Sequence, residues 1–169
     1  MTQVLYLLRH AEAGHRSPSG DDFSRSLSSA GTRHARLVSR WVFDTLPPPQ
    51  TVLCSPAKRT RDTLAPILSL WPQLLEVTDY FDSMYCASLN LLLTQAEDVF
   101  SYSDCLLMVG HNPGIEQMLV NVTHSNQASS TMRMGAGTLA VIEFAEGFKL
   151  GKSAGNLLHL LGESAFSLN

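Results

Sequence analysis

Arginine and histidine side chains follow three apolar runs of the sequence, at the points where strands would end. Arg9 and His10 come directly after the first run, and His111 follows the third. Arg59 comes shortly after the second run, and Arg25 lies in the long polar stretch behind His10. Guanidinium groups bind phosphate oxygens through paired hydrogen bonds, and a neutral imidazole can attack phosphorus to form a phosphohistidine. If these side chains meet, we expect a cationic pocket for a phosphoryl group.

The hydrophobic pattern predicts the elements that must position these residues. Apolar runs predict four buried strands, at residues 4–8, 51–54, 106–109 and 139–144. Weaker strand candidates are 74–78 and 157–161, and the latter pattern is also compatible with a helix. Helical spacing predicts helices over 57–70 and 89–100, one that begins at Pro113, and one capped by Ser28 or Ser29. The apolar face of that capped helix would include Leu37, Val38, Trp41, Val42 and Leu46.

Strands thus alternate with helices, and the best strands are apolar on both faces. This pattern predicts a single-domain, three-layer α/β fold, in which helices cover both faces of a mostly parallel central sheet. Ligand sites in such sheets form at the carboxyl ends of the strands, where the Arg and His residues lie. The stretch 135–140 also matches G-x-G-x-x-A, but it precedes a strand instead of following one, so we reject it as a dinucleotide site.

Composition narrows the possible partners. The 169 residues carry a net charge of −3, which argues against binding to nucleic acid, and no apolar run approaches the length of a transmembrane helix. Nine Arg against three Lys favour bidentate recognition of oxyanions. The three cysteines form no C-x-x-C pair and, being odd in number, point to a reducing, cytoplasmic setting. We expect neither a metal nor another cofactor, because the arginines can supply the charge that Mg²⁺ supplies elsewhere.

Four segments resemble the histidine phosphatase superfamily. Leu8-Arg9-His10-Ala11-Glu12-Ala13 resembles its signature in the R-H-A variant, and the stretch from Arg25 to Gly31 resembles R-x-L-[ST]-x-x-G. The stretch from Ser55 to Thr63 resembles S-P-x-x-R-x-x-x-T. Val109-Gly110-His111-Asn112-Pro113-Gly114 resembles the V-G-H-N-P-G segment of the small SixA-type phosphohistidine phosphatases. The four segments come in the family's order.

The resemblance implies a fold and a set of roles. It implies a single phosphoglycerate-mutase-like domain over residues 1–169, with His10 as the nucleophile. Arg9, Arg25 and Arg59 would bind the phosphoryl oxygens, and His111 would stabilise the transferring group. From its position, Asn112 would either add a backbone N–H near the phosphoryl group or serve only the entry into the helix that follows. Ala11 is usual in the SixA-type branch, where other branches carry Gly.

A general acid is the part that this sequence does not clearly contain. Asp82 is the best-placed candidate, and Glu12, Asp21 and Asp22 are others. An alkoxide leaving group needs such an acid, which contributes about 10²–10⁴-fold in rate. Imidazole needs little help, because the pKa of its conjugate acid is about 6.5. The sequence therefore favours phosphohistidine over a sugar phosphate as the substrate.

These observations support one function and leave two others open. We predict a metal-independent phosphatase that works through phospho-His10, with a phosphohistidine-bearing protein as its partner and with phosphate or sulfate as anions that fit the pocket. One alternative is a phosphomonoesterase or mutase for small phosphorylated molecules, which would gain support if Asp82 or Glu12 reached the leaving group. The other is a phosphoprotein-binding module without turnover.

Overall fold

The computed structural model describes residues 1–123, 132–145, 147–149 and 154–166. Within these ranges the strands are β1 (Gln3–Arg9), β2 (Thr51–Cys54), β3 (Thr78–Tyr80), β4 (Cys105–Gly110), β5 (Leu139–Phe144) and β6 (Asn156–Leu161). The α-helices are α1 (Ser29–Thr45), α2 (Lys58–Leu70), α3 (Leu89–Phe100) and α4 (Gly114–Thr123). Short 3₁₀ helices span Pro72–Val77, Asp82–Met84 and Glu163–Phe166. No helix among the described residues has both the length and the apolarity needed to cross a membrane.

The strands form one mixed sheet in the order β3-β2-β4-β1-β5-β6. The first four strands in this order are mutually parallel, and β5 and β6 join them in antiparallel pairs. Arg9 at the end of β1 pairs with Gly110 of β4, and Cys54 of β2 pairs with Val109. The residues that follow β1, β2 and β4 therefore emerge side by side at one edge of the sheet.

Each face of the sheet has its own hydrophobic core. Leu5 and Leu7 of β1 pack with α3 and α4, whereas Tyr6 and Leu8 point to the other face and pack with α1 and α2. This alternation follows from the two-residue period of a strand, and it accounts for the nearly continuous apolar character of β1. The predicted fold class, a single-domain α/β fold with helices on both faces of a mostly parallel sheet, is confirmed.

Two local predictions are wrong. Residues 74–77 form part of a 3₁₀ helix, and β3 begins only at Thr78. Pro72 favours this outcome because it has no N–H to donate to a sheet, and the turn buries Leu74 while Leu75 stays exposed. Leu37 was predicted to face the core but is 49% exposed. The buried stripe of α1 runs instead through Ala35, Val38 and Val42, and Leu37 lies outside it.

Candidate active site

The two histidines of the motifs lie next to each other at the carboxyl edge of the sheet. The His10 N–H donates to the Gly110 carbonyl over 3.1 Å, which continues the pairing of β1 with β4 beyond Arg9. The ring centroids of His10 and His111 are 5.2 Å apart, with the planes tilted by 58°. The parallel register thus brings together two imidazoles that are a hundred residues apart in sequence.

The His10 ring is held in one tautomer. Its Nδ1 lies 2.7 Å from the Ala11 carbonyl oxygen. A carbonyl can only accept, so Nδ1 carries the proton of the neutral ring and Nε2 keeps its lone pair. The Ala11 N–H donates to Thr63 Oγ1 of α2 over 3.0 Å, which fixes this part of the loop. Burial, together with the charges of Arg59, Arg9 and Arg25, lowers the pKa of His10 to about 4. The ring is therefore neutral at pH 7.

His111 is the more buried of the two rings. Its Nε2 lies 2.7 Å from the Ser55 hydroxyl, at the end of β2. Burial lowers its pKa to about 3, with Arg59 and His10 as further causes, while Asp22 opposes the shift. His111 is thus also neutral at pH 7. Ser55 gains a defined role from this contact, since it orients the second imidazole.

These lowered pKa values predict a loss of stability in acid. Between pH 6.5 and 4 the unfolded chain binds protons at His10 and His111 that the folded chain does not bind. The free energy of unfolding should therefore fall as the pH falls through this window. Replacing His111 by Asn removes one such proton and should reduce the slope by up to about 1.4 kcal/mol per pH unit. Urea unfolding at pH 7, 6 and 5 measures the slopes, with His15→Asn, an exposed histidine, as the control. Parallel curves for wild type and H111N would contradict the assignment.

Arg59 and Arg25 converge on one carboxylate. Arg59, in the first turn of α2, is only 5% exposed and donates to the Asp22 backbone oxygen over 2.7 Å and to Asp22 Oδ2 over 2.9 Å. Arg25 donates to Asp22 Oδ1 over 2.8 Å and to the Gly14 carbonyl over 2.9 Å. Both charges act on the pKa of His10. The long loop after β1 therefore brings Arg25 to the same site as Arg59.

Arg9 is held from the opposite side by a turn that precedes β5. It donates to the Met134 carbonyl over 2.8 Å, and the Asn112 side chain donates to the same oxygen over 3.0 Å. Glu116 of α4 accepts from the Met134 N–H over 2.9 Å, and the Gly137 N–H donates to the His10 carbonyl over 2.9 Å. Residues 135–138 thus form a backbone turn next to His10, directly before β5.

Tyr85 is a member of the site that sequence reasoning missed. It follows the 3₁₀ turn Asp82–Met84, and its ring meets His111 edge-on at a centroid distance of 5.4 Å. Its hydroxyl donates to Asp22 Oδ2 over 2.6 Å, and the Arg59 guanidinium lies 5.8 Å from its ring centroid. The sequence signal that could have identified Tyr85 is its position three residues after Asp82, the best-placed candidate acid.

The candidate acids are placed as follows. Asp82 is exposed at the start of its 3₁₀ turn, and the Glu12 carboxylate accepts from the hydroxyl of Ser28, the N-cap of α1. Asp21 accepts from the Ser24 N–H within its own loop. Hydrogen bonds from Tyr85 and Arg25, together with the charge of Arg59, hold the pKa of Asp22 well below its usual range. In this arrangement Asp22 is an anion with no proton to give.

Two motif glycines allow the loops to approach the helices closely. A Cβ on Gly31 of α1 would lie 2.0 Å from the Glu12 carbonyl oxygen, and one on Gly114 of α4 would lie 2.3 Å from the Ala87 carbonyl oxygen. The Ser28 N–H also donates to the Glu12 carbonyl over 2.9 Å. The loop that follows β1 and carries His10 therefore packs directly against the first turn of α1.

The amino-acid sequence matches the model of one known protein family. Residues 5–90 match the model of the histidine phosphatase superfamily (branch 1). The chain belongs to the histidine phosphatase superfamily. Its Arg9-His10 pair and Arg59 fall within the matched segment, whereas His111 lies beyond it.

Proteins with similar sequences include uncharacterized ones from mycobacteria. Uncharacterized proteins from two strains of Mycobacterium tuberculosis are 34% identical over 107 residues, so the matched part spans 63% of this chain and 63% of theirs. An uncharacterized protein of Mycobacterium leprae is 26% identical over 161 residues, or 94% of either chain.

Solved structures of the SixA type are similar along almost the whole chain. The candidate phosphohistidine phosphatase SixA from Agrobacterium tumefaciens is 26% identical, with a TM-score of 0.82 over 95% of this chain and 97% of that one. Its counterpart from Nakamurella multipartitia is also 26% identical, with a TM-score of 0.80 over 96% of either chain. These matches support the SixA-type branch of the superfamily.

Proposed function

We propose that the protein is a phosphatase that removes the phosphoryl group from phosphohistidine carried by another protein. In this proposal the phosphoryl group passes to Nε2 of His10 and then to water. The observation that carries the proposal is the His10 ring, which is neutral, held by Ala11 with its Nε2 lone pair available, and surrounded by the charges of three arginines.

The proposed first step needs no proton from the enzyme. The Nε2 lone pair of His10 forms a bond to phosphorus while the bond between phosphorus and the substrate imidazole breaks. When the other ring nitrogen of the substrate carries a proton, that ring takes the bonding pair and leaves as a neutral imidazole. Transfer between two imidazoles is close to isoenergetic, so the barrier depends mainly on alignment and on stabilisation of the phosphoryl oxygens.

The second step reverses the roles of His10. Water attacks phosphorus, and the bond to Nε2 breaks with its electron pair returning to the neutral ring. The oxygen and both protons of water end on inorganic phosphate, as H₂PO₄⁻. The hydrogen bond from Nδ1 to the Ala11 carbonyl matters in both steps, because it supports the positive charge that the ring acquires when Nε2 carries the phosphoryl group. Arg9, Arg25 and Arg59 bind the phosphoryl oxygens, which is the work that a divalent cation does in other phosphoryl-transfer sites.

The surroundings of His111 support an activated phosphate as the substrate. Besides the His10 ring, the Tyr85 ring lies next to His111, and the pKa of Tyr85 is raised by its hydrogen bond to Asp22. A phenol in this state is a poor acid for an alkoxide leaving group, whereas imidazole needs little assistance. The similarity to SixA-type structures points in the same direction. A SixA structure complexed with tungstate has the same fold, at 15% identity and a TM-score of 0.76. Tungstate is an oxyanion of the kind that the arginines would bind.

A cytoplasmic location belongs to the proposal as well, on the basis of the odd number of cysteines and the absence of a C-x-x-C pair.

Phosphate release in the presence of EDTA tests the proposed function. The substrates are a phosphohistidine-bearing protein, an aryl phosphate and an alkyl phosphate, each with wild type and with His10→Asn as the blank. Fast release from phosphohistidine, slower release from the aryl ester and almost none from the alkyl ester is the expected result. Equal or faster release from the alkyl ester would instead indicate a phosphomonoesterase with a general acid. Phosphate binding without release from any substrate would indicate a binding module.

A further inference from the structure

The Asp22 carboxylate lies where the two arginines of the loop and helix α2 converge. Its Oδ1 accepts from Arg25 over 2.8 Å, and its Oδ2 accepts from Arg59 over 2.9 Å and from the Tyr85 hydroxyl over 2.6 Å. Two guanidinium groups and a hydroxyl around one anion are the donor set that a phosphoryl group requires. The carboxylate is still about half exposed, so it can leave toward solvent.

The arginines do not depend on this carboxylate for their positions. Arg59 also donates to the Asp22 backbone oxygen over 2.7 Å, and Arg25 also donates from Nε to the Gly14 carbonyl over 2.9 Å. The loop has further anchors: the Phe23 carbonyl accepts from the Lys58 N–H over 3.0 Å, and Asp21 Oδ1 accepts from the Ser24 N–H over 2.7 Å. The carboxylate therefore forms ion pairs with both guanidinium groups but is not needed to keep them in position.

A phosphoryl group and the Asp22 carboxylate cannot share these donors favourably. Two anions within a few ångströms repel each other, and each donor hydrogen that faces one oxygen is lost to the other. We propose that Asp22 is a resident competitor of the phosphoryl group, which lowers the affinity of the pocket for oxyanions and is displaced when the substrate binds. This inference rests on the part of the proposed function that assigns Arg25 and Arg59 to the phosphoryl oxygens.

The competition has a functional consequence for product release. When the second step leaves inorganic phosphate in the pocket, the carboxylate of Asp22 is the anion next to it and replaces it on the same donors. The exchange keeps both arginines next to an anion throughout, so the release of phosphate does not leave the buried Arg59 guanidinium without a counter-charge. Asp22 thus lowers the affinity of the pocket for phosphate without holding the arginines in place. Removal of its carboxylate should favour retention of phosphate.

Calorimetric titration with inorganic phosphate tests the proposal without any substrate or turnover. Asp22→Asn keeps the backbone oxygen and the size of the side chain but removes the charge. It should bind phosphate more tightly than wild type, on the order of tenfold, because two half-exposed ion pairs no longer have to be broken. Asp21→Asn is the matched control, with the same change of net charge on a carboxylate that does not contact the arginines. Its affinity should stay near that of wild type. Asp22→Glu, which restores a carboxylate, should bring the affinity back toward the wild-type value.

The possible results separate this inference from the substrate assignment. Equal or weaker phosphate binding by folded D22N would overturn it, and would show that the carboxylate positions the arginines. Equal tightening in D21N and D22N would overturn it as well, since the effect would then come from net charge alone. If neither wild type nor D22N bound phosphate, these donors would not form a phosphoryl site. A failure of phosphohistidine hydrolysis, by contrast, leaves the titration unaffected.

Discussion

Replacing His10 by Asn should lower phosphate release from a phosphohistidine-bearing protein by about 10⁴-fold or more, because the change removes the Nε2 lone pair that accepts the phosphoryl group in the proposed mechanism. Asn fills much of the volume of the ring and can still donate to the Ala11 carbonyl, so the loop after β1 should keep its conformation. Inorganic phosphate should still bind, since its affinity comes from the arginines. Initial rates from phosphate release, together with a phosphate titration, measure both parts of the prediction.

Trapping the intermediate gives the same prediction a second readout. Wild type incubated briefly with labelled substrate should carry a label that is stable in alkali and lost in acid, as expected for phosphohistidine, and H10N should carry none. His15→Asn is the matched control, because His15 is an exposed histidine of the same loop. A wild-type rate or a labelled protein in H10N would place the nucleophile elsewhere.

Replacing Arg59 by Lys should lower kcat/KM by roughly 10²–10³-fold, even though the positive charge is kept. Arg59 is buried at the start of α2, where its two terminal nitrogens donate to Asp22 in a fork, and its charge is the largest contribution from a neighbouring charge to the lowered pKa of both histidines. A lysine ammonium is a single point charge and cannot donate in this planar, bidentate manner. Kinetics with a phosphohistidine-bearing protein measure the effect.

Arg61→Lys provides the comparison for this second prediction. Arg61 lies two residues further along α2, is exposed, and has its guanidinium 5.1 Å from the ring centroid of Tyr80. Its replacement should change kcat/KM less than about threefold, because surface changes of this kind are worth only a few tenths of a kcal/mol. Activity of R59K within threefold of wild type would mean that Arg59 does not bind the transferring oxygens.

Much of the fold was accessible from the sequence because its strands are buried on both faces. Such strands form short continuous apolar runs, and the bounds predicted for β2 and β5 agree with the structure residue for residue. The helix over 89–100 also agrees, since Ser88 caps it and its apolar residues keep a helical spacing. The prediction at 74–78 failed because a short apolar run does not distinguish a strand from a 3₁₀ turn. Packing on the neighbouring elements decided that case.

The candidate site, like the fold, has one part that the local sequence predicts and one part that depends on packing. The sequence by itself determined which residue types follow β1, β2 and β4, and parallel pairing then brings His10, His111 and Arg59 to one edge of the sheet. Their common location was predictable because strand ends and residue types are local properties. All the predicted roles stay predictions: in binding or transferring the phosphoryl group for His10, Arg9, Arg25, Arg59, His111 and Asn112, and as acids for Asp82 and Glu12.

Only the tertiary structure decided which long-range contacts complete the site. Tyr85 reaches Asp22 across 63 residues, and Arg9 reaches the Met134 carbonyl across 125 residues. No local pattern encodes these contacts, because they depend on how loops from different strand ends pack over the same edge. The sequence determined the set of residues that we propose binds the phosphoryl group. The packing determined that the carboxylate of Asp22 contacts two arginines of this set. A carboxylate and a phosphoryl group present similar oxygens to a guanidinium, so the fold can pair the arginines with either one.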